Sequence, residues 1–164
     1  MQLSDFNSAD SPSAEAALLG CCHCPRWAAT VTRERPYSDL ESLTARAAAV
    51  WESATEEEIL EAFAAHPKIG DLDALRDRYS RAGHEQGQVR EAQDSVLQRL
   101  QQLNTEYEAR HGFIFIVCAT GKSAAEIAEL LAARLPNSRQ VELNNGAVEQ
   151  GKILQLRLRA LFED

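Results

Sequence analysis

Only one stretch of this 164-residue chain, residues 113–120, has the β-branched and aromatic content of a strand. One strand cannot make a sheet, and no second stretch of comparable quality is present to pair with it. If that stretch is buried, its backbone N–H and C=O groups must find other partners. The expected fold is therefore all-α, a single compact multi-helix domain over residues 1–164, in which residues 113–120 run as a buried extended or partly helical segment.

Helix signals recur along the rest of the chain. Ser11-Pro12 is read as opening the first helix, with proline tolerated at its start, and Cys24-Pro25 as opening a second that carries Trp27, Ala28 and Val31 on one face. Ser38-Asp39-Leu40-Glu41, Thr55-Glu56-Glu57-Glu58 and Ser123-Ala124-Ala125-Glu126 each have the spacing of a capping box. The first leads into the stripe Leu43, Ala47, Val50, Trp51, and the third into Ile127, Leu130, Leu131, Leu135. A shorter segment is expected over residues 72–79. A long polar helix follows from about Glu85 to Arg110, with Val89, Val96, Leu97, Leu100 and Leu103 inward and His111-Gly112 at its end. After Pro136-Asn137 a last helix is expected to bury Val141, Val148, Ile153, Leu154, Leu158 and Leu161.

The charge balance narrows the partners. A formal net charge of −8, with arginines scattered along the chain, would repel a phosphate backbone, so nucleic acid is not an expected partner. No stretch is apolar for long enough to span a bilayer, residues 1–20 lack the pattern of a signal peptide, and the last residues are not a peroxisomal address. The expectation is a cytoplasmic protein. Glu56, Glu57 and Glu58 read as the first turn of a helix, where carboxylates meet free N–H groups.

Cys21, Cys22 and Cys24 flank His23, but a structural zinc site draws its ligands from separated pairs, and no second pair exists. No metal is expected. Cys118, inside the apolar run, reads as a buried thiol behaving like a small hydrophobe, and all four cysteines fit a reducing compartment.

The constrained chemistry lies at His66-Pro67-Lys68-Ile69-Gly70. Proline drives the residue before it toward extended geometry, so the helix carrying Leu60, Ala62, Phe63 and Ala65 must stop there, and the imidazole is aimed by the backbone. Histidine trades a proton near neutrality. The same residue could also serve only to complement a helix C-terminus.

Taken together, these landmarks resemble the 2-oxo-4-hydroxy-4-carboxy-5-ureidoimidazoline (OHCU) decarboxylase family of the urate-to-allantoin pathway. The resemblance is carried by Phe6-Asn7, Cys21-Cys22 with Trp27, Arg35-Pro36-Tyr37, the run from Ala62 through His66 to Gly70, and Glu85-Gln86. Downstream it is carried by Asn104-x-x-Tyr107, Phe113-Ile114-Phe115-Ile116, Arg134-Leu135-x-Asn137, Glu142, Lys152-Ile153 and Leu156-Arg157-Leu158. It implies a compact all-helical homodimer that decarboxylates a small-molecule substrate, OHCU, to (S)-allantoin without metal or organic cofactor. It also implies that His66 is catalytic, and that Glu85 and Arg157 bind substrate with Pro67 and Gln86 beside them. Backbone groups of Phe115, Ile116 and Val117 would line the substrate ring. One departure is Ala82, at a place where many members carry a hydroxyl residue; Ser80 could supply that group if the turn is shifted.

These residue types suit that chemistry. Decarboxylation leaves an electron pair that many enzymes pass to pyridoxal phosphate or thiamine. The implied substrate carries its own sink, a C=N group beside the carboxylate-bearing carbon, so the protein must orient the bond and manage protons. Glu85 can accept from ureido or ring N–H groups, and the planar fork of Arg157 can bind a carboxylate or carbonyl. The competing classes are a non-catalytic helical binding module, in which His66, Glu85 and Arg157 need not meet around one cavity, and a redox- or metal-responsive protein using Cys21, Cys22 and Cys24.

Overall fold

The computed structural model of the protein describes residues 1–66 and 87–163, and for residues 87–93 the backbone alone. Among the described residues there are eight helices and no strand: α1 (Leu3–Ser8), α2 (Ser11–Leu19), α3 (Pro25–Arg33), α4 (Leu40–Glu52), α5 (Glu56–Ala64), α6 (Gly87–His111), α7 (Ala124–Arg134) and α8 (Arg139–Phe162). The chain divides into two compact units, one of Met1–Ala65 with Ala147–Asp164, the other of His66–Gly146. Helix α8 thus contributes its first turns to the second unit and the remainder to the first. The segment expected over residues 72–79 lies outside the described residues.

In the first unit, side-chain caps start three of the helices. Asp10 accepts from the Ser13 N–H, Asp39 from the Ser42 N–H and Thr55 from the Glu58 N–H, each satisfying a donor that the helix itself leaves free. The core gathers Phe6, Leu18, Trp27, Leu43, Leu154 and Leu158, all fully buried. The polar edges of its aromatic residues are satisfied. Trp27 Nε1 donates to the Ala47 carbonyl (3.0 Å), Trp51 Nε1 to that of Ala147 (2.9 Å) and Tyr37 Oη to that of Val31 (2.7 Å). Glu58 ties the start of α5 to α3 by accepting from Arg26 Nε and Cys24 Sγ. Burial alone would raise the Glu58 carboxyl, but the bonds from Arg26 and Thr55 outweigh it and hold it below the ordinary range.

In the second unit, α6 and α7 pack together, burying Leu97, Leu100 and Tyr107 from one and Ala124, Ile127, Ala128 and Leu131 from the other. Helix α6 stops where Gly112 takes a positive φ of 81°, a conformation that costs glycine least. Residues 113–119 then run without regular structure, and Phe113, Phe115, Ile116 and Cys118 among them are buried. This irregular, largely buried run stands where a buried extended or partly helical segment was expected inside an all-α fold. Ser123 caps α7 by accepting from the Glu126 N–H (3.1 Å), and Ser138 Oγ accepts from the Val141 N–H (3.2 Å) at the start of α8.

Several expectations need correction. A six-residue helix, α1, precedes the one opened by Ser11-Pro12; it has no side-chain cap and is anchored by Phe6, whose ring meets Phe162 edge-on at 5.4 Å. The cap of α4 is Asp39 and not Ser38, because the Asp39 carboxylate takes both the N–H and the hydroxyl of Ser42 (2.7 and 2.6 Å). Leu130 is 38% exposed, since α7 buries the face of Ala124, Ile127, Ala128 and Leu131. Val141 and Val148 are 46% and 60% exposed, because this part of α8 turns inward Glu142, Leu143 and Gln150.

The register of α8 makes a direct test. Leu154→Ala should cost about 2–5 kcal/mol as a buried large-to-small change, whereas Val148→Ala should stay within about 0.5 kcal/mol as a surface change. Urea unfolding of the two variants checks this, and a large loss in Val148→Ala as well as in Leu154→Ala would mean that Val148 faces inward, as apolar spacing alone suggested.

Candidate active site

The second unit contains an uncommon arrangement of buried charge. Glu142, in the first turn of α8, is 0% exposed and accepts four side-chain hydrogen bonds. Tyr107 Oη (2.8 Å) and Arg134 Nε (2.7 Å) reach Oε1, while Asn137 Nδ2 (3.0 Å) and Asn145 Nδ2 (2.7 Å) reach Oε2. The elements deliver these donors from four directions: Tyr107 from α6, Arg134 from the end of α7, Asn137 from the connecting turn and Asn145 one turn further along α8. Burial by itself would raise the Glu142 carboxyl, but the amides of Asn137 and Asn145, the Tyr107 hydroxyl and Arg134 together hold it below its ordinary range. For Tyr107 burial comes first, and the Glu142 carboxylate adds to it, so the phenol is pushed well above its usual value.

Arg134 passes this order on to the extended segment. Its Nη1 donates to the Ile116 carbonyl at 2.9 Å, and its guanidinium carbon lies 4.4 Å from the centroid of the Phe115 ring, within cation–π range. Phe115 is also edge-on to Tyr107 at 5.3 Å. Lys122 Nζ holds the Cys118 carbonyl (3.0 Å) at the far end, and His111 Nε2 donates to the Leu135 carbonyl (3.1 Å). Phe115 and Ile116 are 5% and 3% exposed and Val117 is half-buried. Among the described residues, no carbonyl accepts from the N–H groups of Phe115, Ile116 or Val117. A buried or half-buried backbone with unspent donors is the kind of surface a small polar ligand completes.

The expected site residues fall as follows. His66 sits two residues past the end of α5, just after the cap Ala65, and is half-buried, so the helix stops where Pro67 was expected to stop it. It belongs to the second unit, as do Phe115, Ile116 and Val117, which the structure brings together with Arg134. Arg157 belongs to the first unit, on an exposed position of α8. Burial raises the Cys21 thiol and pushes that of Cys22 up to about 12, and the positive charge of Arg157 opposes both shifts. Pro67, Glu85 and Gln86, with Ser80 and Ala82, lie outside the described residues. The sequence reading noted Tyr107, Arg134, Asn137 and Glu142 as landmarks but gave them no role, and it passed over Asn145.

All four cysteines are thiols outside any disulfide, and all four are buried. Burial is also the first cause of the raised Cys24 thiol, so Cys21, Cys22 and Cys24 are poor thiolate nucleophiles as well as poorly accessible ones.

These contacts hold an irregular segment against a buried charge network within a helical scaffold. The chain belongs to the OHCU decarboxylase family, whose model matches residues 7–159. It is 35% identical over 150 residues to the uric acid degradation bifunctional protein TTL of Arabidopsis thaliana, covering 88% of this chain and 46% of that protein. It is 34% identical over 146 residues to the 2-oxo-4-hydroxy-4-carboxy-5-ureidoimidazoline decarboxylase of Mus musculus, covering 85% and 80% of the two chains. A crystal structure of an OHCU decarboxylase in the presence of (S)-allantoin superposes with a TM-score of 0.75 at 30% identity, covering 95% of this chain and all of the other. The chain spans about a third to a half of the length of the bifunctional relatives it matches (46%, 33% and 33%).

The Glu142 network predicts a specific pH dependence. Folding holds this carboxyl below its free value, so its contribution is fully present above the unfolded pKa of about 4.3 and is lost as pH falls through the lower folded value. Glu142→Gln should therefore flatten the acid limb of a plot of urea midpoint against pH, and a limb as steep as that of the wild type would contradict the assignment. Glu142→Ala, which strands a buried guanidinium, should cost about 3–5 kcal/mol at neutral pH.

Proposed function

We propose that this protein is a cofactor-independent carboxy-lyase that converts OHCU to (S)-allantoin and carbon dioxide in the degradation of urate. The observation that carries the reading is membership of the OHCU decarboxylase family over residues 7–159. That no carbonyl among the described residues accepts from the backbone N–H groups of residues 115–117 adds a physical reason for a small polar substrate in the second unit.

In this reading His66 is the general acid/base. The C–C bond to the carboxylate breaks, carbon dioxide leaves, and the electron pair moves into the adjacent C=N group, whose nitrogen takes up a proton. This leaves a C=C bond between the two carbons; the hydroxyl then gives up its proton and becomes a carbonyl as the former C=N carbon takes up a proton on one face, which sets the (S) configuration. His66 exchanges the proton with the substrate hydroxyl or ring nitrogen, and its half-buried position past α5 suits contact with a ligand. Glu85 and Gln86 accept from and donate to the ureido and ring groups, Pro67 fixes the imidazole, and the backbone of Phe115, Ile116 and Val117 lines the ring. Arg157, exposed and therefore available to a ligand, orients a carboxylate or carbonyl. An arginine that held the ground-state carboxylate too tightly would not accelerate its loss, so Arg157 serves orientation more than rate. We place the protein in the cytoplasm as a homodimer.

The test follows circular dichroism of OHCU generated in situ from urate by urate oxidase and hydroxyisourate hydrolase. Wild-type protein should accelerate decay and give optically active allantoin. A folded His66→Ala variant should lose about 10²–10⁴-fold in rate, the usual contribution of a positioned acid or base. Decay no faster than the blank, with racemic product, would transfer the chain to the binding-module class.

A further inference from the structure

We infer that Arg134 is a positioning residue of this site: it touches no substrate, but aims the Val117 N–H as a hydrogen-bond donor to a carbonyl of the bound ureidoimidazoline. The inference rests on the proposed decarboxylase reading and deepens it.

The argument begins with peptide geometry. In a trans peptide the C=O of one residue and the N–H of the next lie in one plane and point in opposite directions. The Ile116–Val117 bond is trans, since the cis peptide recorded in the described chain is at Arg35-Pro36. A donor that pins the Ile116 carbonyl therefore also fixes the direction of the Val117 N–H, away from the guanidinium. Arg134 Nη1 is that donor, at 2.9 Å. The guanidinium cannot swing to follow the peptide, because its Nε is held by Glu142 at 2.7 Å and its face lies over Phe115 at 4.4 Å. Glu142 is fixed in turn by Tyr107, Asn137 and Asn145.

The other half of the argument is what the aimed group lacks. Among the described residues the Val117 N–H has no carbonyl partner, and Val117 is half-buried where Ile116 is enclosed. The charge network thus orients a donor for which the described residues supply no carbonyl acceptor. The carbonyl oxygens of a ureido group or of the ring are acceptors of the right kind.

Two variants test this. Arg134→Lys keeps the charge but cannot hold Glu142 and the Ile116 carbonyl while covering Phe115. The double variant Arg134→Gln with Glu142→Gln removes both buried charges together, which protects folding from a stranded ion. The readouts are KM for OHCU, Kd for (S)-allantoin and the ¹⁵N–¹H resonance of Val117 during allantoin titration. In wild-type protein the Val117 resonance should shift as allantoin binds. In both variants KM and Kd should rise about tenfold, as for one misdirected hydrogen bond, and the Val117 shift should shrink, with the pH profile of kcat unchanged. A merely structural role would lower the active fraction, leaving KM and the Val117 shift of the folded molecules intact. Wild-type turnover with variants whose KM, Kd and Val117 shift match it within twofold would overturn the assignment to Arg134 alone. Wild-type protein that neither turns over OHCU nor binds allantoin would overturn the decarboxylase reading, and this inference with it.

Discussion

The buried carboxylate of Glu142 is the point on which the order of the second unit depends. A carboxylate taken out of water loses several kcal/mol of hydration and is tolerated only where donors replace the solvent. Here Tyr107, Arg134, Asn137 and Asn145 do so, and in doing so they lock α6, the end of α7, the turn after it and the start of α8 to one another. A well-packed apolar cluster could join the same elements at equal or lower energetic cost. What it could not do is present a guanidinium in fixed register to the Ile116 carbonyl. The network is better understood as a device for geometry than as a source of net stability.

Much of the fold was legible because its signals are local. Thr55 and Ser123 cap the helices that their spacing marks, and Gly112 ends α6 with the positive φ that glycine allows. The strand-like run of residues 113–120 was read as a buried extended or partly helical segment inside an all-α fold, and it is largely buried backbone without regular structure, since a strand without a partner has no sheet to join. The errors have a common source in tertiary context. Helix α1 is too short to announce itself and exists because Phe6 is buried against Phe162 and Arg35. Val141 and Val148 looked inward only on the rule that apolar residues face the core. That rule fails where the inward positions are Glu142 and Gln150, polar residues whose burial no periodicity can reveal.

The site was legible to a different degree. The stop at His66 follows from the proline after it, and the structure ends α5 there. Arg157 carries no such local mark: it is an exposed arginine on a helix, as most arginines are, and only the family pattern distinguishes it. The positioning residues were least legible. Arg134 and Glu142 stand eight residues apart on either side of a turn, and their meeting depends on how α7 and α8 are joined. Sequence could place them in a motif, but could not bring Arg134 to the Phe115 ring.

The irregular segment explains why such a network is useful beside a ligand. A helix or a paired strand spends its N–H and C=O groups on itself, leaving none for a substrate. A backbone that keeps donors free must be held by something other than backbone pairing. In this protein the holding groups are side chains, with Arg134 on the Ile116 carbonyl, Lys122 on the Cys118 carbonyl and the Tyr107 ring against Phe115. Each unpaired group excluded from water costs about 1–3 kcal/mol, which a bound ligand with complementary acceptors would recover. In the proposed reading that recovery is part of the energy available for binding, and the rigidity of the Glu142 network keeps it from being dissipated by a segment that refolds onto itself.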